Sequence, residues 1–153
     1  MADGRHEQKV SSMTNFIKPS IHAFLVCDTI IIDSLTGKKS IIGAFTHLWA
    51  KTFPCQHPQV GVYFSLTDAE GKYSFDIQLI YLDKDQMVGK GSLPPIEIQN
   101  RLATHDFGVN IPYLVFPGPG KYEFRLYADG NFITQKDFQV IQQEPSPKPQ
   151  ESP

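Results

Sequence analysis

The chain has 153 residues, 41% hydrophobic and 20% charged, which is an ordinary globular balance for one domain with loose ends. A formal net charge of −2 leaves no basic footprint for nucleic acid, and no run of roughly 18 apolar residues is present to span a membrane. Two cysteines are too few for a disulfide framework, and the opening "MADGRHEQKVSSMTNF" lacks the apolar centre of a secretion signal, so a reduced, cytoplasmic setting is expected.

Residues 1–18 are polar and unpatterned and are expected to form a disordered arm. From residue 19 to 141 the dominant period is two, the signature of strands with one buried face. "HAFLVCD", "TIIID" and "SIIGAF" supply β-branched and aromatic strand material, with "SLTGKK" as the turn between the last two. "TGKKS" is not a phosphate loop. That motif needs a glycine five residues before the Gly-Lys pair, where Ile32 stands, and a helix after it, where strand residues follow. "FTHLWAKTF", residues 45–53, is undecided between a strand end and one helical turn, because Phe45, Leu48, Trp49 and Thr52 fall at helical spacing and Pro54 follows. Cys55, His57 and His47 are soft metal-ligand types without zinc-site spacing, so no metal is expected there.

"VGVYFSLT" places Val60, Val62, Phe64 and Leu66 on one face, and "YSFDIQLIYLD" does the same for Tyr73, Phe75, Ile77, Leu79 and Tyr81. "DAEGK" between them has hairpin chemistry. Asp68, Asp83, Asp85 and Asp129 all fall in turns. Calcium uses such carboxylates, but Asp68 and Asp83 are expected at opposite ends of one strand and cannot share an ion. "MVGKG" and "IEI" have the form of short edge strands separated by Pro94 and Pro95. "LATHDFGVNI" gathers Ala103, His105, Phe107, Val109 and Ile111 on one face.

"PGPGKYEFRLYADGNFITQKDFQV", residues 117–140, is the clearest hairpin. Tyr122, Phe124, Leu126, Phe132, Phe138 and Val140 share parity. A two-residue loop would send half of them to the wrong side. A three-residue loop, Ala128-Asp129-Gly130 with Gly130 left-handed, is therefore predicted, pairing Tyr127 with Asn131 and Leu126 with Phe132. Lys136 then has to reach water from the apolar face. Tyr122 stands where a tyrosine corner would, and Phe124 takes the place of the second cysteine of antibody domains. The tail from residue 142 to 153 is proline-rich without P-x-x-P spacing and is expected to be disordered.

Many short strands with frequent turn signals predict an all-β fold, a single antiparallel two-sheet β-sandwich of immunoglobulin-like type, with a partly open barrel as the alternative. Three stretches carry a resemblance: "CDTIIIDSLTGKKSIIGAF", "YFSLTDAEGKYSFDIQLIYLD" and "GPGKYEFRLYADG". Together, over about residues 20–141, the chain resembles a family of small bacterial cytosolic proteins with a β-sandwich domain of unknown function. The resemblance implies that fold and a bacterial origin. It supplies no activity and no functional residues.

There is no G-x-S-x-G elbow and no G-x-G-x-x-G turn, so no catalytic residue and no cofactor is assigned. Tyr63 and Tyr127 lie opposite their strands' apolar sets, and Trp49 and Tyr113 lie near strand ends. These four aromatics form the candidate interaction surface, while Tyr122, Phe124 and Gly130 are structural. The expected function is a non-catalytic protein-interaction or accessory module with a protein partner of unknown identity. The alternatives are a small-ligand module for carbohydrate or calcium, or an enzyme of unrecognised type. Exposed edge strands leave a homodimer open.

Overall fold

The computed structural model describes residues 16–144, and within them the chain forms eleven strands and a single 3-10 turn. The arm and tail expected at the two ends fall largely outside the described residues.

β1 (Ser20–Ile32), β2 (Lys39–Ala44), β4 (Cys55–Thr67) and β9 (His105–Phe116) form a four-stranded sheet in the order β2-β1-β4-β9, with every pair antiparallel. β3 (His47–Ala50), β6 (Phe75–Tyr81), β7 (Gln86–Ser92), β10 (Gly120–Ala128) and β11 (Asn131–Gln142) form a five-stranded sheet ordered β3-β11-β10-β6-β7. β5 (Gly71–Tyr73) and β8 (Ile96–Ile98) make a separate two-stranded sheet.

The fold is all-β, as the period of two requires, but the expected strictly antiparallel, two-sheet arrangement is corrected on two points. The third, small sheet is one. The other is β3, which runs parallel to β11. Its cause is a change of sheet without a change of direction. After β2, the Phe45 N–H donates to the Val26 carbonyl in the four-stranded sheet, and Thr46 accepts from the Gln139 N–H in the five-stranded one. Residues 45–53 are therefore a crossover, a short strand and bends, with no helical turn.

The predicted inward sets of β4, β6 and β9 meet in one core. Val60, Val62, Phe64 and Leu66 face Phe75, Ile77, Leu79, Tyr122, Phe124 and Leu126, all completely buried. Burying each such side chain is worth about 1.5–3 kcal/mol. At one end Phe138 gathers the rings of Phe45, Phe124, Tyr122 and Phe116 at 5.4, 5.7, 5.8 and 6.1 Å, which ties both sheets together.

The β10–β11 hairpin has a two-residue loop in place of the predicted three. Asp129 and Gly130 have φ of 50° and 81°, so both central positions are left-handed and Ala128 pairs with Asn131. This is the primed turn that Asp-Gly favours. The odd residue demanded by parity is present, but in the strand: Tyr127 pairs with Phe132, and Leu126 then pairs with Thr134, which leaves Ile133 as a bulge. Ile133 is buried, and Phe132 turns outward against Tyr127. Lys136 lies opposite Phe124 and is half-buried, beyond the stretch of β11 that β3 covers.

Tyr122 donates its hydroxyl to the Gly118 carbonyl at 2.6 Å, closing a corner four residues long, and stacks on Tyr81 at 4.6 Å. Burial pushes its phenol from 10.0 up to about 12. A raised phenol stabilises the fold fully below pH 10. That contribution is lost as pH rises toward 12, because the unfolded chain ionises first. The urea midpoint is therefore expected to fall steeply above pH 10, and to fall less steeply in Tyr122→Phe.

Candidate functional site

Beyond Cys27, β1 leaves β4, and the β1–β2 hairpin folds back across the outer face of the β4–β9 pair. Two glycines make room. A Cβ on Gly108 would lie 2.7 Å from Ile30 Cγ2, and one on Gly61 would lie 3.0 Å from Ile30 Cγ1, so Ile30 rests in a cradle that any larger residue would fill. Asn110 holds the strand from below. Its Nδ2 donates to the Ile30 carbonyl and its Oδ1 accepts from the Ile30 N–H, both at 2.9 Å. The side-chain amide thus takes the place of a neighbouring strand's backbone.

Polar ties fix the rest of the hairpin. Lys39 Nζ pairs with Asp106 Oδ1 at 2.7 Å, Tyr63 donates to Asp106 Oδ2 at 3.0 Å, and Gln59 donates to Thr29 Oγ1 at 2.7 Å. Desolvation works against the Asp106 carboxylate, but the Lys39 and Tyr63 hydrogen bonds hold its carboxyl below the ordinary range. At the turn, Asp33 Oδ1 accepts from the Leu35 and Thr36 amides, which lowers its own carboxyl.

With one face of the hairpin seated, the rest carries apolar groups into solvent. Ile31 is 52% exposed, Ile32 53%, Ile42 45% and Leu35 94%. These are four of the eleven exposed large hydrophobics among the described residues, and they fall within twelve consecutive positions. The sequence reading did not single them out. The available signal was the unbroken Ile30-Ile31-Ile32, since a strand with apolar groups on both faces has something to meet on each.

The four candidate aromatics do not come together. Tyr63 is half-buried on the outer face of the four-stranded sheet, bonded to Asp106. Tyr113, on β9, is exposed and has φ of 56°, a left-handed conformation rare for an aromatic residue. Trp49 and Tyr127 share the outer face of the five-stranded sheet but sit at opposite ends. Their partners on β11, Ile141 and Phe132, are nine residues apart, roughly 30 Å. Phe124 is in the core, and Gly130 is in the turn.

The turn aspartates have local work. Asp68, Asp85 and Asp129 take positive φ, and Asp129 accepts from the Ser74 N–H. Among the described residues no group of three or more His, Cys, Asp or Glu side chains could hold a metal ion. Both cysteines are free, and burial pushes the Cys27 thiol up and the His57 imidazole down.

These elements define an all-β domain. A family model described as a family of unknown function, DUF6941, matches residues 22–141, and the chain belongs to that family. This accords with the family of unknown function expected over about residues 20–141. No curated protein matches the chain. Among solved structures, the alkylpurine DNA glycosylase AlkC of Pseudomonas fluorescens, bound to DNA containing an abasic site analog, is similar with a TM-score of 0.55 at 10% identity, over 87% of this chain and 33% of that one. The chain thus spans about a third of the glycosylase's length, and the likeness is one of fold. A Listeria innocua β-glucosidase matches at TM-score 0.41 and 9% identity, over 80% of this chain and 16% of that one. An immunoglobulin-like protein from Pseudomonas aeruginosa matches at 0.36 and 11%, over 82% and 97%.

Proposed function

We propose that the chain is a non-catalytic protein-interaction or accessory module that docks its protein partner on the outer side of the β1–β2 hairpin. The observation that carries this is Ile31 and Ile42, exposed together on the outer face of a hairpin that Asn110, Lys39 and the glycine cradle hold in one position, with Leu35 exposed at its turn. Apolar groups held rigidly in water cost solubility without stabilising the core, and such patches mark recognition surfaces. An immunoglobulin-like sandwich is the framework. It is supported by the β11-β10-β6-β7 order, which matches strands G-F-C-C′ of variable domains, and by the Tyr122 corner. Two free cysteines favour a reduced setting, and we place the module in the bacterial cytoplasm.

The test is the double variant Ile31→Ser with Ile42→Ser. Both side chains point outward, so stability should stay within about 0.5 kcal/mol of the parent. Affinity for the partner captured from the native host should fall at least about tenfold. Unchanged capture by the double variant sinks the proposal. Sedimentation of the pure chain shows whether the partner is a second copy paired through β2, one of the two edge strands of the four-stranded sheet.

A further inference from the structure

The opposite side of the molecule carries different chemistry. On the outer face of the five-stranded sheet, where β6, β7 and β10 meet the β10–β11 turn, lies a groove of about 330 Å³. Asp76, Gln78, Lys90, Ser92 and Tyr127 line it, with Gly130 at its end. The register explains the grouping. Tyr127, Asp76 and Ser92 form one row across three strands, and Gln78 and Lys90 belong to the next. All point away from the core because their neighbours Ile77, Leu79 and Leu126 are fully buried.

The groove is fixed in shape. Tyr127 is held edge-on by Phe132 at 5.9 Å, with their rings at 73°. The turn is tied to the start of β6 by the Asp129 amide donating to the Ser74 carbonyl at 2.9 Å, and by the Ser74 amide donating back to Asp129 Oδ1 at 2.8 Å. Ser92 Oγ donates to Asp76 Oδ1 at 2.6 Å, which orients that carboxylate. Gln78 and Lys90 have no side-chain hydrogen-bond partner among the described residues.

The side chains restrict the ligand. Asp76 at the centre disfavours a phosphate or other anion, and Lys90 on the neighbouring strand balances it, so the groove suits a neutral molecule. An extended peptide lying in the groove cannot pair with β6, whose two edges are taken by β10 and β7, and strand addition is left to the outer edge of β7, beside the groove and not within it. The volume is at the lower end of the roughly 300–1,000 Å³ typical of ligand sites. An aromatic ring beside a carboxylate, an amide and an ammonium matches a molecule that has apolar C–H faces and several hydroxyls. We infer that this groove binds a neutral saccharide of one or two rings, stacked on Tyr127 with its hydroxyls bonded by Asp76, Gln78 and Lys90. The inference does not depend on the hairpin surface.

The experiment is an amide ¹H–¹⁵N titration of the full chain with cellobiose, maltose and N,N′-diacetylchitobiose. Saturable shifts confined to residues 76–78, 90–92 and 125–131, with at least one sugar at a Kd of about 1 mM or tighter, are expected. Tyr127→Ala should weaken that binding at least about tenfold, and Tyr127→Phe, which keeps the ring, should retain most of it. The spectra themselves report whether each variant is folded. No saturable shift with any of the three sugars overturns the inference, and so does binding that survives Tyr127→Ala.

Discussion

Phe138→Ala is expected to lower stability by about 3–5 kcal/mol, the cost of removing a large ring from a core that cannot close over the gap. The ring is 2% exposed and touches residues from both large sheets: Phe116 on β9, Tyr122 and Phe124 on β10, and Phe45 in the crossover. Its neighbours are held independently. The Tyr122 hydroxyl is bonded to Gly118, which holds that ring in place, and the Phe45 amide is bonded to Val26, which fixes the backbone that carries the other ring. A thermal melt should show a Tm lower by roughly 10–20 °C. Phe132→Ala is the matched control, with the same side chain on the same strand but 47% exposed, and should cost far less. Equal losses from the two variants would falsify the placement of the core and the bulge that separates them.

That pair of phenylalanines also marks the limit of what the sequence discloses. Alternation in "VGVYFSLT" and "YSFDIQLIYLD" places Phe64 and Ile77 inside because a strand buried on one face has only two choices for each residue. Parity in the β10–β11 hairpin likewise demands one odd residue, but parity counts residues without locating them. The structure puts the extra residue at Ile133 because Asp129-Gly130 already satisfies a turn with two positive φ values. With the bulge in the strand, Phe132 goes outward and Phe138 goes in. The parallel β3–β11 pair leaves no local trace. Its partners are some ninety positions apart, and what creates it is a crossover whose backbone bonds reach into both sheets.

The surfaces were less legible than the core for a related reason. Periodicity says that Tyr63 and Tyr127 face away from the apolar set. It does not say which sheet each belongs to, or what else lies on that face. Tyr63 is partly covered by the hairpin and serves as a donor to Asp106, while Tyr127 borders an open groove. The hairpin's own position was written in residues with no chemistry to attract notice. Gly61 and Gly108 stand at outward positions inside long strands, where a glycine weakens the strand unless another segment needs to come close. Asn110, directly opposite Gly61 and one row from Gly108, supplies the amide that binds that segment.

The Gly108→Ala variant should therefore act on the hairpin more than on the domain. The added methyl would lie 2.7 Å from Ile30 Cγ2, inside any tolerable separation, and a tight 3.3 Å from Cδ1. One side has to move. β9 is anchored by Phe107, Val109 and Ile111 packing on the core, whereas the hairpin is held here by Asn110, Gln59 and the Lys39–Asp106 pair. The hairpin should yield, at a cost of about 1–3 kcal/mol. Hydrogen exchange should show the Ile30 amide losing protection while β4 and β10 amides keep theirs, because a lifted hairpin opens locally. Partner capture should fall along with it, since Ile31 and Ile42 lose their fixed position although neither is altered. Ile30→Ala removes the colliding atoms, so the double variant should be more stable than the sum of the two single losses, with a coupling of about 1 kcal/mol. Strict additivity, or an Ile30 amide as protected in Gly108→Ala as in the parent, would mean that the glycine cradle does not seat the hairpin.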